Sequence, residues 1–142
     1  MIHKILVPVD LSDYSAKVFD AIAPLREVFS PEVVLCHVIE NRGIPLVQFS
    51  QLVDLDTART QAEDRLVALS AAHFADTEKV SSIVRVGLPA DELVAVADEL
   101  HCDLVALATR GLEGLTHAVL GSTTERVLRH ANCPVLVTRL GS

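Results

Sequence analysis

Residues 104–126 read LVALATRGLEGLTHAVLGSTTER, and the succession of patterns within them decides the fold. The apolar run from Leu104 to Ala108 predicts a strand, the glycine-bearing stretch after it a loop, and Ser122, Thr123, Thr124 and Glu125 the opening of a helix. Ser122 followed three residues later by Glu125 predicts a capping box, in which hydroxyl and carboxylate satisfy amides at the helix entrance. Gly121 removes a side chain just before that entrance, where free amides and the positive end of the helix dipole favour an anion, a phosphate above all. The connection is longer than the ~2–6 residues usual between strand and helix in α/β units. Two readings of it stand side by side. In one, the loop cradles phosphate through backbone donors, hydroxyls and Arg110, since it holds no Lys and lacks the pattern GxxxxGK[ST]. In the other, Leu112, Leu115, Val119 and Leu120 pack a long surface loop while glycines relieve its backbone.

Outward from this stretch, strands and helices alternate. Lys4 to Val9, KILVPV, is too densely apolar for a half-exposed strand and predicts a parallel strand covered on both faces, with Pro8 near its end. Asp10 to Asp13 form a loop and cap, and Val18, Ile22, Leu25 and Phe29 recur at helical spacing. Pro24 predicts a kink or local break in that helix. Glu32 to Ile39 is a second strand. After a loop from Asn41 to Ser50, the residues Leu52, Leu55, Ala62, Leu66 and Leu69 mark a long amphipathic helix. Its charges, Asp54, Asp56, Arg59, Glu63, Asp64 and Arg65, read as a solvated face. Val80 to Val86 is a third strand, and Gly87-Leu88-Pro89 turns the chain into a helix with Asp91 and Glu92 in its first turn and Leu93, Ala97 and Leu100 toward the core. Asp103 to Thr109 and Pro134 to Thr138 complete five strands. Arg126, Arg129 and His130 place positive charge toward the end of the last helix.

Such alternation selects a parallel α/β sheet built by right-handed crossovers. Ligands in these sheets sit beyond the carboxyl ends of the strands, where the strand order reverses. The loops after the first and fourth strands can therefore share one crevice.

Length and composition narrow the class. The 142 residues, 50% apolar but only 4% aromatic, suit a single domain with an aliphatic core. No apolar run approaches the ~20 residues of a membrane span, and the start MIHKILVPVD enters a strand pattern without a signal-peptide cleavage site, so the expected location is cytoplasmic. A net charge of −7 argues against a general nucleic-acid surface. The three cysteines, Cys36, Cys102 and Cys133, are an odd set without CxxC spacing and predict no disulfide framework. His101-Cys102, Cys36-His37 and His130 near Cys133 are isolated pairs rather than ligand sets. The histidines are scattered and name no catalytic constellation, with His117 the one inside the long loop.

On these residues the chain resembles the universal stress protein family. Its nucleotide motif, G-x2-G-x9-G-[ST], matches Gly111, the nine residues Leu112 to Leu120, then Gly121 and Ser122, while its first Gly falls on Ala108 and Gly114 is not a motif glycine by spacing. The likeness extends through KILVPVDLS, CHVI, GLP, CDLVALATRG and GSTTERVLRHANCPVLVTR. It implies a Rossmann-like, doubly wound five-stranded parallel sheet in the order 3-2-1-4-5 with helices on both faces.

The resemblance also implies roles. Pro8, Val9 and Asp10 would border adenine and ribose, with Asp10 accepting from a ribose hydroxyl or helping to hold a metal, and Val38 would pack on the base. Ala108, Arg110 and Gly111 would line the other wall, and Gly121, Ser122, Thr123 and Thr124 would hold phosphates. Read alone, Asp10 is equally a helix-entry carboxylate and Ser122 a cap. The cofactor implied is ATP, with Mg²⁺ at its phosphates. Val135 to Thr138 would pair two copies into a homodimer, although alone it is equally an ordinary terminal strand. The implied function is a nucleotide-dependent dimeric regulator in a stress response, with the loop Arg110 to Leu120 as its moving part and a partner protein that the sequence does not name. The alternatives are a nucleotide-free dimeric scaffold and a slow ATP hydrolase or phosphotransferase.

Overall fold

A computed structural model describes residues 1–11, 15–41, 54–110 and 121–140, without the side chains of Ser15, Arg110 and Leu140. In chain order the described elements are β1 (Lys4–Pro8), α1 (Ser15–Phe29), β2 (Glu32–Glu40), α2 (Leu55–His73), β3 (Val80–Gly87), α3 (Pro89–Glu99), β4 (Leu104–Arg110), α4 (Ser122–His130) and β5 (Val135–Leu140). All strand pairs are parallel, in the order β3-β2-β1-β4-β5. The order reverses between β1 and β4, which pair through Ile5↔Leu104 and Leu6↔Val105.

Period-two alternation sends successive strand residues to opposite faces of the sheet, and both faces are covered. On one, Ile5, Val7, Val33, Leu35 and Ala106 pack against Val18, Phe19 and Ile22 of α1 and Ala62 and Leu66 of α2. On the other, Leu6, Val34, Cys36, Val105 and Leu107 pack against Leu93, Val96 and Ala97 of α3 and Val127 of α4. Burial of each such aliphatic side chain contributes about 1.5–3 kcal/mol, which explains why so few aromatics suffice. Phe19 and Phe74 meet edge-on with centroids 5.0 Å apart and close the first core.

Pro24 lies inside α1, and the helix runs through it unbroken, contrary to a local break. Pro24 and Asp20, whose carbonyl loses its intrahelical donor, are both exposed, so the missing bond falls on the solvent side while buried Val18, Phe19 and Ile22 anchor the opposite face. The α2 charges Asp54, Asp56, Glu63, Asp64 and Arg65 are exposed, as the solvated-face reading expects, and two of them also make defined contacts. Asp54 is the N-cap, accepting the Thr57 amide at 3.2 Å and the Thr57 hydroxyl at 2.6 Å. Arg65 reaches across to the Leu11 carbonyl. The Gly87-Leu88-Pro89 turn is as predicted: Gly87 has φ +156°, and Pro89 opens α3. Among the described residues no helix is long and apolar enough to cross a membrane.

Candidate functional site

The carboxyl ends of β1 and β4 flank the point where the strand order reverses, and the described residues of the predicted set lie on β1, β2, β4 and α4 or directly before or after them. β1 ends at Pro8, followed by buried Val9 and exposed Asp10. Two bonds to β2 fix this exit. The Val9 amide donates to the Cys36 carbonyl at 2.8 Å, and His37 Nδ1 lies 2.8 Å from the Val9 carbonyl. Because a carbonyl only accepts, Nδ1 carries the hydrogen and Nε2 of the neutral ring is the acceptor.

Val38, near the end of β2, is partly buried and packs toward the α3/α4 core. Ala108 on β4 is also partly buried, but its methyl packs against the α1/α2 core. The two residues therefore flank the sheet from opposite faces. Arg110 is the last residue of β4. Gly111, like His117 and the rest of 111–120, lies outside the described residues.

At the other side of that stretch, Gly121 rather than Ser122 is the N-cap of α4, and no side chain caps the helix. The predicted capping box is therefore absent. Glu125 instead accepts from Arg129 one turn along at 2.6 Å, an i,i+4 pair that holds its carboxylate on the outer face of the helix. The first intrahelical bond runs from the Glu125 amide to the Gly121 carbonyl at 3.0 Å. The amides of Ser122, Thr123 and Thr124 have no acceptor within the helix and present its positive end.

Gly121 has φ −61° and ψ 157°, an extended conformation open to any residue. Among the described residues, a Cβ built on it meets no atom within 4 Å. Neither backbone strain nor packing against the described residues requires glycine there, so among those residues its missing side chain leaves open space beside the amides. Ser122 is exposed, Thr123 partly buried and Thr124 buried, which turns the Thr124 side chain into the protein and leaves chiefly its amide for a ligand.

The start of α4 is tied back to β4 by a residue that sequence reasoning missed. Buried Thr109 accepts the Gly121 amide at its Oγ1, 3.4 Å away. Its signal was a lone hydroxyl at the end of an apolar strand. His37 was likewise passed over as one scattered histidine, although its position beside the predicted Val38 could have marked it. A groove of about 370 Å³ lies elsewhere, at the amino end of β3, between Ser81 and Ser82 and the Phe74 end of α2. It shares none of these residues.

A model of the Universal stress protein family matches residues 1–139. The chain belongs to that family. Universal stress protein YxiE of Bacillus subtilis is 30% identical over 148 residues, covering 98% of this chain and all of that one. The solved structure of protein MJ0577, a universal stress protein of Methanocaldococcus jannaschii, superposes with a TM-score of 0.83 at 28% identity, covering 100% of this chain and 99% of that one. A family structure from Archaeoglobus fulgidus, in complex with dAMP, shares the fold with a TM-score of 0.69 at 22% identity, covering 96% and 98% of the two chains. The Rossmann-like sheet and its strand order are thus those of the family.

Proposed function

We propose that the protein binds ATP at the reversal of strand order and acts as a nucleotide-dependent dimeric regulator. The observation that carries this reading is the open space at Gly121 beside the outward amides of α4. A phosphate fits there by charge and by hydrogen-bond donors, with no lysine required. Ser122 and Thr123 add hydroxyls, and on this reading the opposite wall is assigned to Arg110, the last residue of β4, and to Gly111 after it in sequence. Pro8, Val9, Asp10 and Val38 stand at the ends of β1 and β2, where the adenosine half would lie. A relative of the same fold is held in complex with dAMP, an adenine nucleotide. The methyl of Ala108, which replaces the first motif glycine, is taken up by the α1/α2 core, so its added carbon does not by itself close the crevice.

Asp10 is the one carboxylate of the proposed set, which suits Mg²⁺ held mainly by ATP phosphates and completed by one protein oxygen. β5 is an edge strand, and pairing Val135 to Thr138 with a second copy would cover its open side. A regulatory step requires two states of the protein that differ in affinity for ATP, because a ligand shifts an equilibrium only by that difference.

The test is calorimetric titration of ATP with Mg²⁺ into the wild type and Gly121→Val. An added Cβ meets no described atom and the backbone conformation suits any residue, so the melting temperature is expected to stay near that of the wild type while ATP affinity drops at least ~10-fold through loss of the charge-assisted seat. Equal affinities would reject this seat. Absence of wild-type binding at millimolar ATP would favour the nucleotide-free scaffold.

A further inference from the structure

We infer that Arg65 of α2 is a positioning residue for the nucleotide site, acting through the loop that carries Asp10; the inference rests on the nucleotide reading above. Asp10 stands between two pinned neighbours. Val9 is held at its amide by the Cys36 carbonyl and at its carbonyl by His37 Nδ1, each at 2.8 Å. On the other side, the Leu11 carbonyl accepts from Arg65 Nη2.

Leu11 needs such a tie. Its φ of +64° lies in the left-handed region, where the Cβ of an L-residue crowds the backbone and which a branched side chain rarely adopts. Its side chain is partly buried against the α1/α2 core, so side chain and carbonyl are both held. The donor comes from 54 residues away, on a helix fixed in place by buried Ala62 and Leu66. Arg65 itself is exposed, and its long side chain spans from the helix to the loop carbonyl.

Removing the guanidinium releases the Leu11 carbonyl and lets Leu11 relax toward negative φ, which turns the peptide planes on which the Asp10 carboxylate depends. The loss then falls on the contact made by Asp10, not on the phosphate seat at Gly121. A ribose hydroxyl donating to Asp10 gives the measurement its handle: ATP makes that contact and 2′,3′-dideoxy-ATP does not.

Both nucleotides are titrated with Mg²⁺ into the wild type, Asp10→Asn and Arg65→Met, the last keeping the apolar stem. The wild type prefers ATP about 10-fold, as befits one hydrogen bond to a charged group. Asp10→Asn removes most of that preference, and Arg65→Met brings it within about twofold of Asp10→Asn, with dideoxy-ATP affinity and melting temperature unchanged. Retention of the wild-type preference in Arg65→Met overturns the inference. So does an equal loss for both nucleotides, which marks a general loosening, and so does a wild type or Asp10→Asn showing that Asp10 makes no such distinction. Failure of the wild type to bind either nucleotide overturns the nucleotide reading itself.

Discussion

Arg26 and Glu78 meet side-on across the first core, Nε donating to Oε2 at 2.7 Å and Nη2 to Oε1 at 2.6 Å. The same carboxylate accepts the Ala75 amide at 2.9 Å, and the guanidinium lies 4.2 Å from the centre of the Phe74 ring. One ion pair thus ties the end of α1 to the turn between α2 and β3.

Glu78→Gln is expected to lower stability by about 1–2 kcal/mol, toward the low end of a hydrogen bond to a charged group because the pair is partly exposed. The pH dependence has a definite sign. The Arg26 guanidinium holds the Glu78 carboxyl below its ordinary range. The contribution is therefore full above the unfolded-state value, about pH 4.3, and is lost as pH falls through the lower folded value. Urea unfolding from pH 7 to pH 2 should show a shallower acid decline for the variant.

Asp103 makes a second carboxylate clasp, its Oδ2 accepting the His3 amide at 2.7 Å and the Lys4 amide at 2.9 Å. These amides hold its carboxyl below the usual range. Asp103→Asn should be less stable than the wild type at neutral pH, and the difference should shrink as acid protonates the wild-type group. Thermal melts at several pH values measure this directly, and a gap that widened in acid would contradict the assignment.

Gly87 is constrained twice. Its φ is +156°, and an added Cβ would lie 2.9 Å from Glu92 Cγ. Gly87→Ala should cost about 1–3 kcal/mol. Adding Glu92→Ala should recover only part of that loss, since it clears the contact and leaves the backbone strain. Full recovery would show that the contact alone mattered.

Burial pushes the Cys36 thiol up to about 12 and the Cys102 thiol up to about 11, both far from the thiolate at neutral pH. Cys133 is raised as well but is only partly buried. A disulfide reagent at pH 8 should modify Cys133 first, and the other thiols only at the rate of unfolding.

Dense apolar runs such as KILVPV made the parallel strands legible, because a strand covered on both faces has no polar alternate residues to blur it. The positions of Asp10 and Gly121 were legible for a related reason: loop residues at strand ends have their place set by topology. Contacts between distant segments were not. Arg65 and Asp54 look like surface charges in any helical projection, yet one reaches Leu11 across 54 residues and the other caps its own helix. Ser122 and Glu125 have the capping-box spacing, but a helix beginning one residue earlier and an Arg129 partner used Glu125 differently.

The Asp103 clasp joins residues a hundred positions apart, and it closes only after most of the chain has been made. During synthesis β1, β2 and β3 can already assemble beneath α1 and α2, while Leu6, Val34 and Cys36 on the opposite face wait for α3 and α4. A nascent chain halted before β4 would lack Leu104 and Ala106 of the first layer and Val105, Leu107 and Val127 of the second, so neither layer would be complete. The reversal of strand order, which needs β4 beside β1, thus forms only once most of the chain has been made.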